Sequence, residues 1–173
     1  MQRIAVIGGT GMKQLVAEAD FGDSGFTVSQ VDSLNSENEY GEVPIEVMVL
    51  NRQGGSDECR IFVIHRHHGD GKTTPPHLVN YHAIVRAAAD CRPEVILSVQ
   101  SVGGIDPNFP PGIVGMAEHT LDFSGGPITF SSDDAHHADM THHYPEELRG
   151  LLRPILSTQS DDELCLDHVV AHM

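Results

Sequence analysis

The stretch from Glu94 to Val102 limits the fold more than any other part of the chain, because Val95, Ile96, Leu97 and Val99 make its centre apolar over the length of a strand. A strand that is apolar at nearly every position, rather than at alternate ones, suits a central place buried on both faces of a sheet. A second short apolar run, Ile4 to Ile7, ends in Gly8-Gly9-Thr10-Gly11, the pattern of a buried strand feeding a tight loop. Val43 to Leu50 alternates with Ile45, Val47 and Val49 on one face, and Arg60 to His65 is a further run of this kind. The turn-rich segment from Asn51 to Asp57, with Gly54-Gly55, joins those two as a hairpin. Ile113 to Ala117 reads as another short strand.

Helix signals are interleaved with these strands. Pro75-Pro76 sets an extended entry, after which Leu78, Tyr81, Val85 and Ala88 recur at helical spacing. Pro145 at a first helical position precedes Glu146-Glu147, and Leu148, Leu151, Leu152 and Ile155 follow at i, i+3, i+4 and i+7 until Pro154 disturbs the last turn. Ser160 and Glu163 are spaced as a capping box, which predicts a last helix with Leu166, Val169, Val170 and Met173 on one face. That helix is still amphipathic at Met173 with no C-cap signal, an ending that reads as a cut. Asp106 to Gly112 and Ser124 to His143 read as loops. The expectation is one α/β domain over residues 1–173, incomplete at its C-terminus, with a twisted mixed central sheet flanked by helices.

Composition removes several classes of function. The chain has 173 residues and a formal net charge of −15, and its lysines are Lys13 and Lys72. Such a surface repels nucleic acid and anionic membranes, so neither is an expected partner. No apolar run approaches the roughly 18 to 20 residues that span a bilayer. Cys59, Cys91 and Cys165 are odd in number and form no CxxC, which suits a reducing cytoplasm.

Against that acidic background, His65-Arg66-His67-His68-Gly69-Asp70-Gly71-Lys72-Thr73-Thr74 gathers cationic and neutral donors at the end of a strand, as a phosphate site would. The Gly8–Gly11 loop can bring backbone N–H groups and the Thr10 hydroxyl to an anion. It does not complete a dinucleotide fingerprint, which needs a third glycine, nor a Walker A loop, which needs Gly-Lys-Ser/Thr. Twelve histidines raise the question of a metal, but no HExxH or Cys/His spacing supports one, and no metal is expected. Ser98 to Gly104 places small residues at a strand's carboxyl end, where open α/β sheets bind ligands, without the G-x-S-x-G elbow of a serine nucleophile.

Taken in order, these segments resemble the methylthioadenosine/methylthioinosine phosphorylase family of trimeric purine nucleoside phosphorylases. The quoted matches are Ile7-Gly8-Gly9-Thr10-Gly11; His67-His68-Gly69; Pro75-Pro76-His77-Leu78-Val79-Asn80-Tyr81; and Gln100-Ser101-Val102-Gly103-Gly104-Ile105. Leu121-Asp122-Phe123, His137-Ala138-Asp139-Met140 and Tyr144 to Arg149 follow, so coverage runs from about Arg3 to Ile155. The resemblance implies that Thr10 binds phosphate through its hydroxyl and N–H, that His68 donates to a second oxygen, and that Gln100 and Ser101 close the pocket. His137 would reach across a trimer interface towards the sugar of a neighbouring site. Inorganic phosphate would be a co-substrate, with no cofactor.

Three departures accompany the resemblance. The family arginine of Arg-His-Gly aligns with His67, with Arg66 one residue earlier, and a permanently charged planar fork is not equivalent to an imidazole. The (Asn/Thr)-Ala pair is Gln100-Ser101, which is bulkier. The family's C-terminal Gly-Pro-Arg-x-Glu-Thr segment and purine contacts are not in the sequence, so a phosphate half-site without a base site is expected. Two functions follow: phosphorolysis of a 5′-methylthiopurine or purine nucleoside, or non-catalytic binding of an anion or nucleoside.

Overall fold

The computed structural model describes residues 2–9, 12, 21, 24–69, 72–125, 129–131, 133–159 and 166–173. It is mixed α/β and divides into two compact units, 1–101 and 102–173.

The first unit is built on a five-stranded sheet. Its strands are β1 (Gln2–Gly8), β2 (Phe26–Asn38), β3 (Gly41–Arg52), β4 (Glu58–His65) and β5 (Val95–Val99), in the order β2-β3-β4-β1-β5. The hairpins β2–β3 and β3–β4 are antiparallel, whereas β1 lies parallel to both β4 and β5. Helix α1 (Tyr81–Asp90) covers one face. It starts where Asn80 accepts a hydrogen bond from Ala83 N, and the same side chain donates to Tyr40 O at 2.7 Å, fastening the helix to the β2–β3 turn. Ala83, Ile84, Ala87 and Ala88 form its buried side, so the small alanines bring the helix close to Ala5, Val43, Ile45, Val47, Phe62 and Ile64. The alternate residues Met48, Leu50, Cys59 and Val63 are buried as well, so β3 and β4 bury both faces.

The second unit pairs β6 (Met116–Asp122) with β7 (Asp167–His172) in parallel and adds helix α2 (Glu146–Leu156). Among the described residues its buried side chains are Met116, Leu166 and the charged Arg149. Among the described residues no helix is long and apolar enough to cross a membrane.

Several sequence expectations need correction. The segment read as a central strand forms β5, at the edge of the sheet, with Ile96 and Val99 both nearly half exposed. Its apolar character is therefore not matched by burial within the described residues. Leu166, Val169, Val170 and Met173 do not share a helical face: residues 167–172 are strand β7, whose β-branched Val169 and Val170 pair with His119 and Thr120. The proposed cap residues Ser160 and Glu163 lie outside the described residues. The buried side of α1 is displaced from the expected stripe, since Leu78 precedes the helix and Val85 is exposed. Helix α2 begins after Pro145 as expected and runs through Pro154 to Leu156, but Leu151 and Ile155 face out and Arg149 faces in. The 13-residue β2 was not anticipated. A bulge between Val28 and Gln30 puts Val28 opposite Leu50 and Val31 opposite Met48, so two apolar residues three apart share a face and the period of two is broken.

Candidate anion site at the ends of three parallel strands

Gly8 stands level with His65 on one side and Val99 on the other, so β4, β1 and β5 end together and in the same direction. Beyond that line the backbone keeps the three ends joined: Arg66 N donates to Gly8 O at 2.8 Å, and Gly9 N donates to Val99 O at 3.2 Å. The carboxyl ends of parallel strands are where α/β sheets present loops to ligands.

The Arg66 guanidinium crosses this edge and donates from Nη1 to Gln100 Oε1 at 3.1 Å. Gly9 makes room for it, because a Cβ there would sit 3.2 Å from Arg66 Nη2. Of the two candidates for the family's arginine position, Arg66 is thus the one that bridges β4 to β5. His67 points both ring nitrogens at the protein: Nδ1 contacts Thr74 O at 2.9 Å, and Nε2 faces Arg66 Nε at 3.4 Å. His68 is held by its neighbour, with its backbone N–H and its Nδ1 both directed at His65 O, at 3.1 and 2.8 Å.

Thr74, the last residue of the donor segment that begins at His65, ties the loop shut. Its N–H donates to His67 O at 3.1 Å and its hydroxyl donates to His68 O. The signal was available: Thr74 precedes Pro75, and a residue before proline is restricted to extended backbone, leaving its polar groups to turn back on the loop. Gly69 is required in the same turn, since a Cβ would approach Lys72 O to 2.7 Å and Thr74 Oγ1 to 2.9 Å. Beneath the loop, buried His65 places Nε2 3.2 Å from Glu46 Oε2, near enough for an ionic contact but not aligned as a hydrogen bond.

Of the expected site residues, Arg66, His67 and Gln100 come together, His68 adjoins them in the same loop, and Ser101 is exposed next to Gln100. Thr10 lies outside the described residues. His137 is in the second unit, exposed in the loop before Pro145. Among the described residues no three His, Cys, Asp or Glu side chains gather to hold a metal ion. Burial raises the thiols of Cys59 and Cys91 above their ordinary value, so neither is a thiolate nucleophile at neutral pH.

No family model matches the chain. Similar proteins do exist. A probable S-methyl-5′-thioinosine phosphorylase of Pseudomonas syringae pv. tomato is 33% identical over 159 residues, which is 90% of this chain and 58% of that protein. A probable S-methyl-5′-thioinosine phosphorylase of Methanopyrus kandleri is 34% identical over 88% of this chain and 52% of its own length. The 6-oxopurine nucleoside phosphorylase of Pyrococcus furiosus is 30% identical over 88% of this chain and 54% of its own. The chain spans a little over half the length of these curated relatives. Over about nine-tenths of its own length, then, it is a homologue of the S-methyl-5′-thioinosine and 6-oxopurine nucleoside phosphorylases, the group that its ordered motifs resemble.

Proposed function

We propose that this chain supplies the phosphate-binding half of an enzyme that cleaves a 5′-methylthiopurine or purine nucleoside with inorganic phosphate. The observation that supports this best is the Arg66–Gln100 bridge over Gly9, at the joint ends of three parallel strands. A guanidinium held across glycine backbone is the donor arrangement that a phosphate dianion matches, and the homologues are named as phosphorylases. Thr10 and Ser101 would complete the ring of donors.

In the reaction a phosphate oxygen attacks C1′ of the sugar as the bond from C1′ to the purine nitrogen breaks. The bonding pair leaves with the purine, which takes up a proton, and the products are free purine and (methylthio)ribose 1-phosphate. The task of Arg66, His68 and their neighbours is to hold the nucleophile in line and balance its charge while positive charge develops on the sugar. No cofactor is required. A homotrimer in the cytoplasm, with His137 serving a neighbouring copy's sugar, and a role in purine salvage belong to the same proposal.

Two measurements test it. Phosphate should raise the melting temperature of the 173-residue chain by mass action, and Thr10→Ala combined with Ser101→Ala should abolish the rise. The natural protein and the 173-residue chain should also be assayed with methylthioinosine and methylthioadenosine, with and without phosphate. Phosphate-dependent base release is expected from the natural protein and little from the chain alone, because positioning of sugar and base contributes several kcal/mol (about 7–11 in favourable systems). Base release indifferent to phosphate would make the protein a hydrolase and sink the reading. Phosphate binding with no base release from the natural protein would favour the non-catalytic alternative.

A further inference from the structure

His67 sits inside the proposed phosphate site, yet its hydrogen bonds leave it no donor for phosphate. A neutral imidazole has one N–H and one lone pair, and a carbonyl oxygen only accepts. The 2.9 Å contact with Thr74 O therefore fixes the proton on Nδ1. Nε2 carries the lone pair, and that is the atom that Arg66 Nε–H faces at 3.4 Å, the long end of hydrogen-bonding range. Arg66 passes the chain on to Gln100 through Nη1. Thr74, His67, Arg66 and Gln100 thus form one directional series from the loop to the end of β5, anchored where Thr74 N donates to His67 O.

From this geometry we propose that His67 is a positioning residue: in its neutral form, protonated on Nδ1, it aims the Arg66 guanidinium at the anion and does not itself touch phosphate. The inference rests on the phosphate reading above and refines it. His68 has the opposite requirement. Its Nδ1–H donates to His65 O at 2.8 Å, so its Nε2 gains a proton to donate only when the ring becomes an imidazolium. Among the described residues, Arg66 faces His67 at Nε2 and the Thr74 carbonyl faces it at Nδ1, with His68 and Lys72 in the same loop and the His65–Glu46 pair at the end of β4. A second proton on His67 would point at a guanidinium N–H and release the aim of Arg66.

Sulfate titrated calorimetrically into the full 173-residue chain is the probe, because its charge is constant across the range where histidine titrates. His67→Phe and Arg66→Met should each weaken sulfate binding about tenfold or more, as expected for losing bonds to a charged group. The double variant should bind no worse than Arg66→Met alone, since both changes remove one interaction. His67→Gln, whose side-chain oxygen accepts without titrating, should stay within about threefold of the natural chain.

Additive losses in the double variant would overturn the inference and return His67 to direct contact. So would a glutamine variant as weak as the phenylalanine one. If circular dichroism shows that His67→Phe does not fold, the glutamine variant decides alone. No sulfate or phosphate binding by the natural chain at tens of millimolar (order of magnitude) would overturn the phosphate reading and the inference together.

Discussion

Among the described residues the largest fully buried side chains are Ile45, Ile64, Ile84, Val43 and Val63, all in the first unit, whereas those buried in the second unit are Met116, Leu166 and the charged Arg149. In residues 1–101 a helix lies on a sheet and excludes water over a broad apolar surface, a contribution of roughly 1.5–3 kcal/mol for each fully buried valine or isoleucine. In residues 102–173 the corresponding join of helix to strand is ionic. Arg149 donates to Asp167 at 2.6 Å and to Glu146 at 2.7 Å, and Arg153 donates to the other oxygen of Asp167 at 2.8 Å. The first unit is therefore expected to respond to volume, and the second to charge and pH.

The largest effect should come from volume in the first unit. Ile84→Ala empties a position that is 1% exposed between α1 and the sheet, and should cost about 2–5 kcal/mol in urea unfolding. A cost below about 1 kcal/mol would mean that the helix is not the sheet's essential cover.

The second unit should break at Arg149. Arg149→Ala removes one of the two arginines that pair with Asp167 and is expected to cost about 1–3 kcal/mol locally, read as lost amide-exchange protection in β7. The same carboxylate sets the pH response. Burial pushes the Asp167 carboxyl up, but hydrogen bonds and charge from Arg153 and Arg149 outweigh it and hold it below its ordinary value. A carboxyl lowered by folding stabilises the fold above its unfolded value, about 3.9, and that stabilisation is lost as pH falls through the folded value. Protection of β7 should thus be level from neutral pH to about 5 and decline below about 4, and Arg149→Ala should flatten the decline. A decline of the same size in the variant would assign it to other carboxylates.

The same contrast explains what was legible in the sequence. Strands β1, β3 and β4 announce themselves because packing against a helix demands apolar residues at regular intervals, and the strand-end motifs at Gly8–Gly9 and Arg66–His68 are local to those strands. Gln100 was also readable, from its place just after an apolar run. Thr74 was readable only through its place before Pro75, because part of its role is carried by a backbone N–H that any residue type possesses. In the second unit an ionic join leaves no apolar period to read. Leu151 and Ile155 imitate a buried stripe that the helix turns outward, and Leu166 to Met173 imitates a helix where pairing with β6 makes a strand.

A smaller effect is expected where the first unit meets its ligand. Gly69→Ala drives a Cβ against the backbone oxygen of Lys72, which cannot swing away as a side-chain end can, and should cost about 1–3 kcal/mol while weakening sulfate binding through the displaced loop. Thermal unfolding and sulfate titration of the same sample separate the two losses. Unchanged stability would show that the 66–74 loop is not held as tightly as Thr74 suggests.

The least expected effect on stability comes from Gly9→Ala, and it separates fold from site most cleanly. The added Cβ would lie 3.2 Å from Arg66 Nη2 and 4.0 Å from Val99 O, so among the described residues the only close neighbour is the end of a flexible side chain. A guanidinium can retreat by a few tenths of an ångström where a backbone carbonyl cannot, and the melting temperature should hardly move. That retreat still shifts Arg66 relative to Gln100 and weakens the bridge over the strand ends. Sulfate affinity should fall about threefold, well short of the loss from removing the guanidinium altogether. If affinity is unchanged, the guanidinium has room to spare and the glycine serves the turn alone. If stability falls along with affinity, the loop beyond β1 constrains this position and the boundary between scaffold and site lies deeper in the sheet.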